Sequence, residues 1–140
     1  MAEKILIVDD EPDMLKLLNM IIKEKTPYGT ITTNNPLEAL ELSKQGGFDL
    51  VIADLKMPGL DGMELLEAIK RMDKDIPVII ITAYGTVESA VESMQKGGFD
   101  FITKPFRKEQ ILYTIDKALK MVKLNKENKM LKEQLKAKEK

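Results

Sequence analysis

Five side chains define the chemistry open to this chain of 140 residues: Asp9, Asp10, Asp54, Thr82 and Lys104. Each stands at the end of a short apolar run, the first within "ILIVDDEPD" at residues 5–13. The sequence has no Cys and no His, so a disulfide framework, a thiolate metal site and the usual general base are excluded. Chemistry falls to carboxylates, amines and hydroxyls. Two carboxylates about 4 Å apart repel by roughly 4 kcal/mol at an effective dielectric near 20, so three in one crevice need a cation or must protonate. A hard divalent ion answers that need, because Mg²⁺ takes oxygen ligands, keeps several waters and binds one or two carboxylates plus a phosphate. Lys104 adds a mobile point charge for a carboxylate or a phosphoryl oxygen, and Thr82 a hydroxyl that can follow a phosphoryl group. The set suits placing a phosphoryl group on an aspartate.

These residues meet only if the surrounding elements bring them to one edge. Apolar runs at Ile5–Val8, Thr30–Thr33, Leu50–Ala53, Val78–Ile81 and Phe99–Ile102 alternate with stretches of helical spacing at about 12–24, 35–45, 62–72 and 86–96. Continuous apolar runs suit strands covered on both faces. Their alternation with helices is the pattern of a parallel sheet with right-handed crossovers. Asn34 or Asn35 can cap the helix whose first turn holds Pro36, Thr86 can cap the fourth, and Gly46-Gly47 and Gly97-Gly98 can end helices. In such an open sheet, ligands bind outside the carboxyl ends of the strands. Asp9 and Asp10 follow the first strand, Asp54 the third, Thr82 the fourth and Lys104 the fifth.

The length allows one domain that buries roughly 68% of its unfolded surface. No signal-peptide pattern opens the chain, and no apolar run approaches the ~18 residues of a membrane span, so a cytoplasmic protein without membrane contact is expected. The formal net charge of −1 conceals a division: from Lys117 to Lys140 nine Lys face three Glu, which leaves the tail at +6 and the body at −7.

"ILIVDDE", "DLVIADLKMPGLDGMELL", "PVIIITAYG" and "GGFDFITKPF", in this order and spacing, resemble the receiver domain of two-component response regulators over residues 4 to about 122. The phrase "AYGTVESAVESMQKGGFDFITKPF" is similar to the receivers of regulators that activate the alternative sigma factor, sigma-54. The resemblance implies an α/β fold, a flavodoxin-like doubly wound five-stranded parallel sheet of order 2-1-3-4-5 with five helices. The receiver would span residues 1–122, and residues 123–140 would continue the last helix as a coiled-coil linker.

It also implies roles. Asp54 would be the phosphoacceptor and carboxylate nucleophile, Asp10 a direct Mg²⁺ ligand, Asp9 a ligand through water, and the backbone carbonyl of Lys56 the remaining protein ligand. Thr82 would hydrogen-bond the phosphoryl oxygen, and Lys104 would pair with it. The donor would be a histidine kinase or phosphotransfer protein. Phe101 lies where these domains carry an aromatic whose rotamer couples to the Thr. Lys56 and Tyr84 flank the expected phosphoryl position, where bulk would obstruct water and lengthen the lifetime of the phosphoaspartate.

Plainer readings stay beside these. Asp9 can be a helix cap, Thr82 the end of a β-branched run, Lys104 an exposed lysine before Pro105, and Phe101 a core residue. Lys56 and Tyr84 can face the kinase partner. Glu11 and Asp13 suit the first turn of a helix, where the dipole favours carboxylates, and need no role in the site. Joint occurrence in one pattern favours the receiver. A Mg²⁺-dependent phosphohydrolase of the haloacid dehalogenase type is a rival, but those enzymes resemble a DxD pattern after the first strand and carry a cap insertion. A flavodoxin-like cofactor module is disfavoured by four acids where its phosphate loop would lie. The chain would catalyse only its own phosphorylation and dephosphorylation.

From about Lys108 to the late 130s a helical pattern runs without Pro or Gly, beyond the usual length. Ile111, Leu112, Ile115, Ala118 and Leu119 can cover the sheet. Beyond them Met121, Leu124, Asn128, Leu131 and Leu135 fall at steps of three and four, a coiled-coil seam in which Asn128 favours a parallel, in-register dimer. Residues 125–138 would project about 21 Å past the body. A homodimer through this helix or through the face of the fourth and fifth helices is expected, and a phosphorylation-independent dimerisation module is the alternative to a working switch. Lysines at every third position from Lys117 to Lys132 wind around the helix, so no direct nucleic-acid binding by this segment is expected. No phosphate-binding glycine loop occurs, so transcriptional output would come from an effector domain elsewhere in a longer regulator or from a partner.

Overall fold

The hydrophobic pattern of the three central strands dictates the architecture. In the computed structural model, which describes residues 3–138, β1 (Lys4–Val8), β2 (Gly29–Thr33), β3 (Leu50–Ala53), β4 (Val78–Thr82) and β5 (Asp100–Thr103) alternate with α1 (Pro12–Lys25), α2 (Pro36–Gln45), α3 (Gly62–Met72), α4 (Val87–Gln95) and α5 (Lys108–Lys138). The strands form one parallel sheet of order β2-β1-β3-β4-β5, the expected order. Met1, Ala2, Glu139 and Lys140, at the outer ends of the expected receiver and linker, lie outside the described residues. Among the described residues no helix is long and apolar enough to cross a membrane.

Side chains of a strand alternate between faces, and here both faces are covered. Ile5 and Ile7 point into a core shared with Ile22 of α1 and Ile111 and Ile115 of α5. Leu6 and Val8 point into the opposite core, shared with Ala39 of α2 and Leu65 and Ile69 of α3. Each fully buried Ile or Leu stabilises by about 1.5–3 kcal/mol. The expectation of strands covered on both faces holds for β3 and β4 and for all of β1 except Lys4, whereas the edge strands β2 and β5 are part-exposed.

Local signals set the helix boundaries. The side chain of Asn35 accepts from the Leu37 N–H, with Pro36 in the first turn, and Gly46 ends α2 at φ 76°. Thr86 and Ser89 form a reciprocal capping box at α4. Asp61, not singled out from the sequence, caps α3 by accepting from the Glu64 N–H. Just inside that cap, Gly62 donates its N–H to the Leu55 carbonyl at 2.7 Å. A Cβ at Gly62 would lie 2.2 Å from the Asp54 carbonyl oxygen and 2.6 Å from the Leu55 Cα, both backbone atoms. The start of α3 is thereby pressed against the loop that leaves β3.

Helix α5 departs from the expected picture in one respect. Ile111, Ile115, Ala118 and Leu119 are buried as expected, and Leu112 is half-buried. The helix does not leave the body at residue 125, however, because Lys126 pairs with Asp49 at 3.6 Å and Lys129 pairs with Asp75. The lysines at these positions meet acids on the body, so the projection begins beyond Lys129.

Gly62→Ala is expected to lower stability by about 2 kcal/mol, since the added methyl meets backbone that cannot give. Gly29→Ala, whose Cβ would meet its nearest atom at 3.9 Å, is the matched control and is expected to cost little. Denaturant unfolding of both variants checks the difference.

Candidate functional site

Backbone hydrogen bonds between neighbouring strands bring the acids and the lysine together. The Asp9 N–H donates to the Thr33 carbonyl at 3.2 Å, the Asp54 N–H to the Val8 carbonyl at 3.1 Å, and the Lys104 N–H to the Thr82 carbonyl at 2.8 Å. Each residue is therefore fixed by the strand beside it, one step past the last residue of its own strand. Thr82 itself closes β4 instead of following it.

Asp9 and Asp54 are each only 2% exposed, and Thr82 is fully buried. The Lys104 Nζ donates to the Asp9 Oδ2 at 2.9 Å and to the Asp54 Oδ2 at 3.0 Å. The other oxygens are held by backbone: the Glu11 N–H donates to the Asp9 Oδ1 at 2.9 Å, and the Lys56 N–H to the Asp54 Oδ1 at 3.3 Å. Burial pushes the Asp9 carboxyl above the usual carboxylate range, against the opposing pull of the Glu11 N–H and Lys104. Burial would lower the Lys104 amine, but its hydrogen bonds to Asp9 and Asp54 and their charges outweigh burial and hold it above the ordinary lysine value. The Lys104–Pro105 peptide is cis.

Two plainer readings of the acids are corrected by this geometry. Asp9 does not cap α1: the cap position is Glu11, which makes no side-chain cap bond, and Asp9 instead folds back on the Glu11 N–H. Glu11 is not confined to a helix-end role, because its carboxylate lies 3.7 Å from the Lys104 Nζ. Asp13 does sit in the first turn of α1. Sequence reasoning passed over Glu11 because an acid beside a helix start already has an electrostatic explanation.

Asp9, Asp10, Glu11 and Asp54 can each offer one oxygen within 4.8 Å of the others, with Asp10 and Glu11 exposed at the rim. An all-oxygen donor set with surplus negative charge, open on one side, fits a hard divalent cation such as Mg²⁺ and leaves room for water and phosphate. The Thr82 Oγ1 accepts from the Tyr84 N–H at 3.1 Å, which leaves its own proton for another acceptor. Lys56 lies with its Nζ 4.9 Å from the centroid of the Tyr84 ring, and both line an open groove of about 490 Å³ that reaches Asp10. Phe101 is half-buried against the α3 side of the sheet, and a Cβ at Gly85 would lie 3.1 Å from its ring. The remaining sequence candidates are remote from this site. Leu124, Asn128, Leu131 and Leu135 are exposed on α5, and Met121 is half-buried there.

Residues 5–116 match the family described as response regulator receiver domain. Transcriptional regulatory protein GlrR of Escherichia coli (strain K12) is 40% identical over 115 residues, which cover 82% of this chain and 26% of that protein. Sporulation initiation phosphotransferase F of Bacillus subtilis (strain 168) is 41% identical over 119 residues, covering 85% of this chain and 95% of that protein. The solution structure of the beryllofluoride-activated NtrC4 receiver domain dimer superposes with a TM-score of 0.80 at 34% identity, covering 85% of this chain and 98% of that one. This chain thus spans about a quarter of the length of the GlrR regulator and nearly all of the length of phosphotransferase F. With the family matched across the whole sheet and the acids and lysine gathered at its carboxyl edge, the chain belongs to the receiver domains of two-component response regulators.

Proposed function

We propose that this receiver takes a phosphoryl group on Asp54 from a histidine kinase or phosphotransfer protein in a Mg²⁺-dependent reaction. The observation that carries the reading is the buried Asp54 carboxylate, held by the Lys56 N–H and Lys104 beside the acidic cluster. Transfer from a phosphohistidine forms a bond between an Asp54 carboxylate oxygen and phosphorus as the nitrogen–phosphorus bond breaks, its electron pair staying on the imidazole. Most of the work is positioning and charge neutralisation. Asp10 would hold Mg²⁺ directly, Asp9 through water, and the Lys56 carbonyl would complete the protein ligands. When bound, the ion offsets the negative charge of the carboxylates and the incoming phosphoryl group. Lys104 would turn from the carboxylates to a phosphoryl oxygen, and Thr82 would donate its free hydroxyl proton to another.

The switch would run through Thr82 and Phe101. Drawing Thr82 toward the phosphoryl group frees space for the Phe101 ring and alters the surface of α4, β5 and α5. Lys56 and Tyr84, stacked across the approach to the site, would slow attack by water. Residues 1–122 act as the receiver and 123–140 as a linker, with Met121, Leu124, Asn128, Leu131 and Leu135 forming the seam of a homodimer to which the α4–α5 face can add. The exposed Leu124, Leu131 and Leu135 and the NtrC4 dimer support this. The motifs similar to sigma-54 activators and the transcriptional relatives support an output in transcription through an effector domain, in the cytoplasm. The chain catalyses only its own phosphorylation and dephosphorylation.

Incubation with acetyl phosphate and Mg²⁺, followed by intact mass measurement, is expected to give one phosphoryl adduct that disappears with EDTA and in Asp54→Asn. An adduct that survives Asp54→Asn would refute the assignment. Asp10→Asn relieves like-charge crowding, and is expected to stabilise the metal-free fold by about 1 kcal/mol. The same variant should lose the rise in melting temperature that Mg²⁺ gives the wild type.

A further inference from the structure

We propose that the α5 extension is held on the far pole of the receiver by a charge latch, Lys126 on Asp49 and Lys129 on Asp75. This latch would fix where the linker leaves the body. It lies at the opposite end of the sheet from Asp54 and is independent of the phosphorylation reading.

Both acids are positioned before the lysines reach them. Asp49 directly precedes β3, and its Oδ2 accepts the Lys4 N–H at 2.9 Å while its own N–H donates to the Lys4 carbonyl at 2.8 Å. Its other oxygen faces Lys126 at 3.6 Å. Asp75 sits in the loop between α3 and β4, where Lys70 fastens the chain on either side of it by donating to the Lys74 and Ile76 carbonyls at 2.6 and 2.8 Å. The Asp75 N–H is held by the Asp73 carboxylate at 3.0 Å. The acids form a fixed receptor and the lysines are the mobile half.

On the helix, the residues turned to this pole are Val122, Asn125, Lys126 and Lys129. These positions follow the i, i+3, i+4, i+7 spacing of a single helical face. Between them and the body lies a groove of about 350 Å³ instead of close packing. Apolar burial therefore contributes little here, and the attachment depends on charge. The proposed seam residues lie about 130° further round the helix at 100° per residue. The latch therefore leaves the seam free and orients it relative to the body.

Exposed ion pairs are individually weak and are screened by salt. The latch should accordingly behave as a salt-sensitive attachment. Amide hydrogen exchange on the full chain tests it, with residues 130–136, which make no ion pair to the body among the described residues, as the internal reference. In Lys129→Asp, or in wild type at 1 M salt, residues 122–129 are expected to exchange several-fold faster while the β-strands are unchanged. Adding Asp75→Lys to Lys129→Asp restores the pair with reversed charge and is expected to restore protection at low salt. Protection is also expected to persist at protein concentrations below those at which the chain dimerises. Exchange at 122–129 that ignores salt and both variants, or protection seen only where the chain dimerises, would overturn the latch.

Discussion

The carboxylates of Asp9 and Asp54 are both buried, and a single ammonium group, that of Lys104, bonds to an oxygen of each. An unpaired buried charge costs several kcal/mol, and one lysine neutralises only one of the two acids. Backbone N–H groups from Glu11 and Lys56 satisfy the remaining oxygens but add no full charge. With Asp10 and Glu11 at the rim, the pocket keeps surplus negative charge, and burial, with a smaller push from the Asp54 charge, raises the Asp9 carboxyl. The fold carries this as a standing cost, and it accounts for the affinity the site should have for a divalent cation. It also means that Lys104 has a choice of partners, which supports the proposed turn of its amine to a phosphoryl group on Asp54.

The rest of the structure serves that arrangement. Parallel pairing of β1, β3, β4 and β5 sets the ends of four strands side by side, and the ladder bonds at Asp9, Asp54 and Lys104 fix how far each side chain reaches. Gly62 lets α3 press on the loop after Asp54. Helix α4 contrasts with its neighbours: Ser93 is its one buried residue, and Val87, Val91 and Met94 are exposed. Its far end is tied to α3 by the ion pair of Lys96 with Glu67. Few buried contacts make a helix inexpensive to displace, which fits the proposed switch through Thr82 and Phe101.

Much of this was legible in the sequence because the central strands are unbroken apolar runs and each ends in a residue with chemistry to do. Asn35, Thr86 and Gly46 announced helix ends through side-chain and backbone preferences that act locally. Asp61 was equally readable, since Asp61 and Glu64 have the spacing of a capping pattern. Glu11 was harder, as its distance to Lys104 depends on a partner far along the chain. The course of α5 was hidden for the same reason. A lysine at every third position winds around a helix, and only the tertiary placement of Asp49 and Asp75 selects Lys126 and Lys129 from that series. Phe101 keeps both of its readings, because a half-buried ring serves packing and switching alike.

The most direct test is the thermal stability of Lys104→Met with and without Mg²⁺. Methionine keeps the length of the side chain and removes its charge, leaving Asp9 and Asp54 buried without their shared cation. Without metal, the melting temperature is expected to fall by roughly 10 °C, as losing one partner of a buried pair costs about 3 kcal/mol. Added Mg²⁺ should recover more stability in this variant than in the wild type. An unchanged melting temperature in the absence of metal would contradict the account, because Lys104 would then not be what holds the buried acids in place.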